Sequence, residues 1–383
     1  MSPSGPWVPK VLIAVLTLGI FYQLLWYSQT SLSTTTCTEN TGSAWFQGVV
    51  GTHSEHGEDA NTTDTVPPSL DNDKTHISYG PTQCMPAFSD RLKHLAITQN
   101  ETCAKHAPFQ TQETRRVALA SINTGDPEEA YQRALQSQML HSAIHETSTH
   151  ILCEDLADGA WNKIAFLLNL LMTEMLKPAS SRLEWIMWID RDVIVLDTCR
   201  PLSSFLPPPT AAFDKINLIT NHDALGLNAG VFMFRVNEWS IQLFNTILAF
   251  RYFRPDQDLV LAEQTAMEII IQEDQWKDAV ARVPWYWFNA YPKLEDDSLD
   301  TYREGSEPDD LEWFRARKGD FAVHFAGVGG RSERMLEWTE MLDHVDNVWE
   351  KGDALRDVTG EIQTYWESYE SGGLTDAQIS GEP

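Results

Sequence analysis

The sequence predicts an α/β fold built on a mainly parallel sheet with flanking helices, and three observations support this prediction. Strand-like apolar runs alternate with amphipathic helical stretches between residues 117 and 196. Successive strands are far enough apart for a helical crossover, which pairs them in parallel. Each strand run ends in polar residues, as expected where the carboxyl ends of parallel strands form a ligand crevice. We therefore expect residues 123–126, 154–155 and 190–192 to meet in one crevice.

Hydrophobic periodicity and turn residues place the individual elements. Strands are predicted at 117–122, 149–153, 185–189, 193–196, 216–220, 227–235 and 319–327, and helices at 128–144, 161–176, 238–253, 263–275 and 331–369. Asp158 is expected to cap the helix that begins at Trp161.

The strand at 185–189 carries the most informative polar residues. It ends in Asp190-Arg191-Asp192, and two carboxylates at the exit of a buried strand are costly unless a cation meets them. Backbone alternation places Asp190 and Asp192 on one side and Arg191 on the other. A hard divalent cation takes carboxylate oxygens and leaves positions for a diphosphate. A solvated turn or an ion-paired strand end is the alternative explanation.

The same Asp-x-Asp spacing occurs twice more in the chain. Asp71 and Asp73 lie in a polar tract, and Asp256 and Asp258 follow a predicted helix in a loop. Neither pair ends a hydrophobic strand, so spacing alone does not identify the site.

Composition excludes one class of partner. The chain of 383 residues has a formal net charge of −27. Such an acidic protein is poorly suited to nucleic acid, whose phosphates select basic surfaces. The 14 tryptophans fit either sugar-stacking platforms or aromatic core packing.

The N-terminus predicts a membrane anchor. Residues 11–27 are largely apolar, with Lys10 as the only charge before them and the acidic Glu39 as the first charge after them. This charge asymmetry predicts a cytoplasmic tail at residues 1–10, a transmembrane signal anchor and a lumenal remainder, as in a single-pass type II membrane protein. The alternative is a cleaved signal peptide.

Composition then divides the remainder. Residues 28–114 are polar and non-periodic and predict a flexible lumenal stem, 115–370 form the expected catalytic domain, and 371–383 a disordered tail. Glycosylation sequons at Asn61 and Asn100 fit a lumenal location. The five cysteines fit an oxidising compartment, but their pairing stays open.

A set of short motifs follows in order between residues 115 and 345. They read Trp161-x-Lys163, Glu184-Trp185-x-x-Trp188-x-Asp190-x-Asp192, Asn228-Ala-Gly-Val-Phe-Met-Phe-Arg235-x-x-x-Trp239-Ser240, Glu263-Gln264, Asn289-Ala-Tyr-Pro292 and Gly319-Asp-Phe-x-x-His324-Phe-x-Gly327. Together they resemble glycosyltransferase family 34, the fungal galactosyl/mannosyl transferase family that also contains plant xylosyltransferases. The resemblance implies a Rossmann-like GT-A fold, a nucleotide-sugar donor, a manganese-type cation (Mn²⁺) and retention of configuration at the anomeric carbon.

The resemblance also implies roles for individual residues. Asp190 and Asp192 match the family's Asp-x-Asp, and His324 matches its late metal-ligand histidine, although a buried structural histidine is the alternative. Asn228 and Gln264 join the two aspartates as expected catalytic residues. In this family the middle residue of Asp-x-Asp is usually small, so Arg191 is a departure, and the side that it faces stays open.

Substrate contacts are expected from a further set of polar positions. The set consists of Thr124, Lys163, Asp223, Gly230, Glu263 and Asn289. Gly230 would let the backbone approach a sugar closely, and Lys163 would meet a phosphate. Surface lysine, turn aspartate and helix N-terminus are the alternatives for Lys163, Asp223 and Glu263-Gln264, respectively.

A second metal site is a weaker hypothesis. His141 and His145 are spaced to share a helix face, and His150 is close in sequence. The glutamate of zinc proteases is missing beside His141, so we interpret these histidines as structural or surface residues.

The sequence-based hypothesis is a Golgi type II membrane glycosyltransferase. It would move a galactosyl or mannosyl residue from UDP-galactose or GDP-mannose to a glycan acceptor, with other transferase subunits as potential partners. The alternatives are a catalytically inactive sugar-binding subunit of a transferase complex and a metal-dependent nucleotide-sugar hydrolase. Sequence does not choose between the two nucleotide bases.

Overall fold

The computed structural model describes residues 75–80, 84–109, 115–293 and 298–382. The predicted cytoplasmic tail and membrane anchor, 1–27, and the Asn61 sequon lie outside these ranges. Within them, no helix is both long and apolar enough to cross a membrane.

A mixed sheet forms the centre of the fold. The strands are β1 (His76–Tyr79), β2 (Val117–Ile122), β3 (Ser148–Leu152), β4 (Trp185–Ile189), β5 (Val193–Val195), β6 (Leu218–Asp223), β7 (Gly226–Arg235), β8 (Val280–Arg282) and β9 (Ala322–His324). Seven of them pair in the order β1-β3-β2-β4-β7-β6-β8, and β5 pairs with β9 separately. Strands β1, β3, β2 and β4 are parallel, whereas β7 is antiparallel to both of its neighbours. The predicted α/β fold with a largely parallel sheet is confirmed.

Helices accompany this sheet. They are α1 (Asp90–His106), α2 (Glu129–His145), α3 (Trp161–Met175), α4 (Glu238–Phe253), α5 (Glu263–Ile271), α6 (Ser298–Glu304), α7 (Arg331–Leu342), α8 (Val348–Lys351), α9 (Thr359–Ser371) and α10 (Asp376–Ser380). Strand β4 shows why both sheet faces are covered. Trp185 and Met187 pack in a cluster with residues of α9, whereas Ile186 and Trp188 pack in another with residues of α3 and α4. Alternating side chains of one wholly apolar strand thus serve two cores.

The β6–β7 hairpin brings two polar regions together. Its turn ends at Gly226, whose φ of +107° favours glycine. The turn reverses the chain, so β7 runs antiparallel to β4, with Ile189 opposite Val231. The Asp190 N–H then donates to the Gly230 carbonyl over 2.8 Å. The start of β7 therefore lies beside the carboxyl end of β4.

The short β5–β9 sheet supplies the third side of this region. Val193 pairs with His324, and the Phe325 N–H donates to the Asp192 carbonyl over 3.0 Å. The side-chain amide of Gln138 on α2 donates to the Val193 carbonyl over 3.1 Å. These contacts place His324 beside Asp192 although 132 residues of sequence, 324 minus 192, separate them.

The folded domain begins before residue 115, which corrects the predicted stem. Strand β1 pairs with β3, and α1 contains buried Ala96 and Cys103. Disulfides Cys84–Cys153 and Cys103–Cys199 attach this segment to the core. The segment is polar, so its composition predicted a flexible chain. The strand and cysteine partners that order it lie far away in sequence.

Two further expectations need correction. The predicted disordered tail contains α10, and Leu374 packs against the core cluster that includes α9 residues. Asp158 does not cap α3, because its carboxylate pairs with Arg251 over 2.6 Å. Helix α3 has no side-chain cap, and the Asn162 side chain instead binds the preceding loop through the N–H groups of Leu156 and Ala157.

The three histidines of the weaker metal hypothesis have other partners. The Nε2 atoms of His141 and His145 lie 2.9 Å from the carbonyls of Arg200 and Thr198, respectively. The His150 ring lies between the hydroxyls of Tyr79 and Ser148. These contacts agree with the structural interpretation.

Buried histidines predict acid sensitivity of the fold. Burial lowers the pKa of His76, His141, His150 and His222, with His150 falling to about 3. In the unfolded chain a histidine binds a proton below pH 6.5, whereas these histidines resist protonation in the folded protein. Each of them therefore lowers the free energy of unfolding as the pH falls below 6.5. Burial also raises the pKa of Asp197 and Asp320 to about 6, which adds stability as the pH falls from 6 toward 4. The histidines outnumber the aspartates, so we expect lower unfolding free energy at pH 5 than at pH 7.

Urea unfolding of the wild type and of His150→Gln, each at pH 7 and at pH 5, checks this expectation. Removing this histidine should shrink the stability difference between pH 7 and pH 5 by about 2 kcal/mol. The exposed His344→Gln is the matched control and should leave the difference unchanged. An equal pH dependence in wild type and His150→Gln would contradict the assignment.

Candidate metal centre

Asp190, Asp192 and His324 come together at the carboxyl end of β4. One potential ligand atom from each lies within 4.8 Å of the others, and no other such group of three occurs among the residues that the structure describes. Asp192 and His324 are buried, and Asp190 is half-buried. The three residues that sequence predicted as metal ligands therefore form one cluster.

The His324 ring has a defined orientation. Its Nδ1 lies 2.8 Å from the Asn289 Oδ1, while the amide nitrogen of Asn289 donates to the Asn221 Oδ1 over 2.7 Å. With the Asn289 oxygen accepting, Nδ1 is the ring nitrogen that donates, and Nε2 is the ring nitrogen directed into the cluster. Nε2 faces the Asp192 carboxylate at 3.3 Å. This is the arrangement that a histidine metal ligand requires.

Asn289 has a structural role beside this histidine, and its substrate contact stays a prediction. Its side chain is fully buried, and both ends of its amide are occupied by protein groups. It fixes the orientation of His324.

Gly230 serves the same histidine. A Cβ at this position would lie 2.2 Å from the His324 Cε1 and 2.9 Å from the Asn228 Oδ1. The absent side chain therefore makes room for the imidazole ring, and the approach to a sugar stays a prediction.

Lys163 is a buried cation between two carboxylates. Its ammonium group lies 3.1 Å from Asp190, 3.2 Å from Glu263 and 2.8 Å from the Ala229 carbonyl. Burial lowers the pKa of Lys163, but the two carboxylates outweigh this effect and the net shift is upward. Three protein oxygens surround the ammonium group, and the phosphate contact stays a prediction.

Glu263 keeps one oxygen available. Its Oε1 meets Lys163, whereas its buried Oε2 has no hydrogen-bond partner. Burial raises the pKa of this carboxyl group. The next residue, Gln264, accepts a hydrogen bond from the Ala229 N–H through Oε1, so its amide nitrogen is not used in this contact.

Asp223, Asn228 and Tyr291 form a hydrogen-bonded group at the start of β7. The Asp223 Oδ2 accepts from the Tyr291 hydroxyl over 2.7 Å and from the Asn228 amide nitrogen over 2.8 Å. The Asn228 Oδ1 accepts the Gly230 N–H over 2.8 Å. Asn228 thus shapes the site through protein contacts. Burial and Asp223 raise the pKa of Tyr291, so it remains a neutral hydroxyl.

Arg191 faces the loop after β2. Its guanidinium stacks over the Tyr131 ring at 4.2 Å from the centroid, and one of its nitrogens lies 3.4 Å from the Thr124 carbonyl. The residue therefore turns toward α2. Thr124 meets Arg191 through its backbone and is half-buried.

Sequence reasoning missed Arg331. Its guanidinium lies 2.7 Å from the Asp192 Oδ2, and its side chain is 37% exposed. Burial alone would raise the pKa of Asp192, but His324 and Arg331 lower it overall, so the carboxylate is ionised. The Gly329-Gly330-Arg331 sequence shortly after His324 was the available signal, because glycines there allow a tight return to the site.

Comparison with known proteins finds a family match for part of the chain. Residues 207–333 match the profile of the galactosyl transferase GMA12/MNN10 family, which confirms the predicted resemblance to glycosyltransferase family 34 for this segment. A galactomannan galactosyltransferase from Cyamopsis tetragonoloba is 26% identical over 140 residues. That alignment covers 30% of this chain and 31% of the relative.

Two solved structures are similar at low sequence identity. A glycosyltransferase involved in glycosylation of the major capsid of PBCV-1 has a TM-score of 0.42 and 17% identity, covering 58% of this chain and 98% of that protein. The galactosyltransferase LgtC, solved with donor and acceptor sugar analogues, has a TM-score of 0.36 and 14% identity, covering 62% and 99%.

Gly230→Ala should disable the metal site without unfolding the protein. The new methyl group displaces the His324 ring, so we expect Mn²⁺ affinity to fall about tenfold or more. Calorimetric titration with Mn²⁺ measures this change.

Gly360→Ala provides the control, because no atom lies within 4 Å of a Cβ at that position. Melting temperatures of both variants verify folding. Unchanged Mn²⁺ affinity in folded Gly230→Ala would show that His324 is not a ligand.

Proposed function

We propose that this protein is a GT-A glycosyltransferase that transfers a hexosyl residue, galactose or mannose, with retention and with the help of a divalent cation. The observation that carries the proposal is the Asp190–Asp192–His324 cluster, with the His324 Nε2 directed into it. The family match over residues 207–333 supports the reaction class.

Two carboxylate oxygens and one imidazole nitrogen suit a cation such as Mn²⁺. When bound, the cation supplies Lewis acidity toward the departing nucleoside diphosphate. Arg331 lies next to Asp192 and is partly exposed, so it adds a second positive charge on the same side. The ammonium group of Lys163 holds the Asp190 carboxylate in place through an ion pair.

We assign binding of the transferred sugar to Glu263 and Gln264. These two residues form the sugar side of the site, and Asp190, Asp192 and His324 form its cation side. The unpartnered Oε2 of Glu263 accepts a hydroxyl hydrogen bond, and the Gln264 amide nitrogen donates one. One ammonium group bridges Glu263 and Asp190, which puts this sugar side next to the cation side. Transfer then requires a donor whose leaving diphosphate and transferred sugar span these two neighbouring positions.

The proposed location is the Golgi membrane, with the catalytic domain in the lumen. The N-terminal apolar segment 11–27 and the sequons at Asn61 and Asn100 motivate this proposal. Disulfides Cys84–Cys153 and Cys103–Cys199 fit the oxidising secretory pathway. The galactomannan galactosyltransferase relative makes UDP-galactose the first donor to test.

A donor panel tests the proposal on the full-length detergent-solubilised protein. UDP-galactose, GDP-mannose and UDP-xylose are each incubated with a glycan acceptor, with and without Mn²⁺. We expect transfer from a hexose donor that stops on metal chelation. Asp192→Asn should lower transfer about 100-fold or more, because it removes a ligand charge.

Asp258→Asn is the matched control, since this exposed residue belongs to another Asp-x-Asp pair. It should retain wild-type activity. Release of free sugar at a rate independent of acceptor would identify a hydrolase instead. Absence of turnover with every donor, despite intact Mn²⁺ binding, would favour a non-catalytic sugar-binding subunit.

A further inference from the structure

A cavity lies away from the metal cluster. Its volume is about 520 Å³, within the range that holds small ligands, and none of Asp190, Asp192 and His324 lines it. Helices α1, α2 and α7 form much of its wall, together with residues that follow β5. The Cys103–Cys199 disulfide fixes α1 against this part of the core.

The strongest charges in the wall already neutralise each other. Arg133 pairs with Asp343, and Lys318 pairs with Asp353, each over 2.5 Å. An ionic ligand would have to break these pairs. Arg91 and His94 also line the cavity, but both are exposed, where solvent screens their charge. The lining therefore suits a neutral ligand.

The wall contains one fully buried carboxylate. The Oδ1 of Asp197 accepts from the N–H groups of Cys199 and Trp349, and its Oδ2 forms an ion pair with the Nε of Arg200 over 3.8 Å. Protein groups therefore hold this carboxylate, and it does not call for an ionic ligand.

The other wall residues supply complementary chemistry. The Gln136 amide and the Tyr302 hydroxyl form no hydrogen bond with the part of the chain that the structure describes. Leu140, Ile194 and Leu342 provide apolar surface. A pyranose combines hydroxyl edges with an apolar C–H face and so fits such a lining. We propose that this cavity binds a neutral carbohydrate of mono- or disaccharide size, at a site separate from the metal cluster.

Binding is tested on full-length protein in EDTA, so that the metal cluster does not contribute. The probes are methyl α-D-galactopyranoside, methyl α-D-mannopyranoside and α-1,2-mannobiose, followed by saturation-transfer NMR and calorimetry. We expect at least one to bind with a dissociation constant on the order of 1 mM. Tyr302→Phe removes one hydrogen-bonding group and should weaken binding about fivefold.

A matched pair of variants on α1 localises the ligand. Thr98 is exposed and lines the cavity, so Thr98→Trp should fill the space and weaken saccharide binding about tenfold or more. Its neighbour Ile97 is 45% exposed and does not line the cavity, so Ile97→Trp should leave binding unchanged. Melting temperatures show whether both variants fold.

Three outcomes overturn the inference. They are no saturation transfer from any saccharide at about 10 mM, saccharide binding that survives Thr98→Trp in folded protein, and displacement of the saccharide by inorganic phosphate. Saccharide binding that Thr98→Trp removes, in a protein that transfers no sugar, supports this cavity and contradicts only the proposed transferase reaction. The two proposals therefore fail separately.

Discussion

The buried ammonium group of Lys163 is the interaction on which the site depends. It reaches from α3 to Asp190 after β4, to the Ala229 carbonyl in β7 and to Glu263 on α5. Without this charge, two carboxylates would face each other in a poorly solvated region, at a cost of several kcal/mol. One side chain therefore joins four elements and keeps the proposed cation-binding and sugar-binding residues adjacent.

Sequence predicted the Asp190–Asp192–His324 cluster because its signals were local or motif-based. Asp190 and Asp192 end a wholly apolar strand, and His324 lies in a glycine-flanked motif. The supporting roles of Gly230 and Asn289 were not predicted, since both depend on contacts with His324, a residue distant in sequence. A glycine pattern shows that space is needed, but only the fold shows what fills it.

Domain boundaries were harder to predict for the same reason. The segment that contains β1 and α1 is polar and weakly periodic, yet two disulfides and the pairing of β1 with β3 hold it on the core. Its stability comes from distant partners rather than from its own apolar face. This segment also supplies one wall of the cavity away from the metal cluster, so the region outside the family match adds a feature of its own.

His324 and the two aspartates are proposed to hold a cation, and pulsed electron paramagnetic resonance of bound Mn²⁺ detects a coordinated histidine. Directly coordinated imidazole nitrogen modulates the electron spin echo. We expect this nitrogen modulation in wild-type protein and its loss in His324→Gln. Bound Mn²⁺ without nitrogen modulation in the wild type, or with the same modulation in His324→Gln, would contradict it.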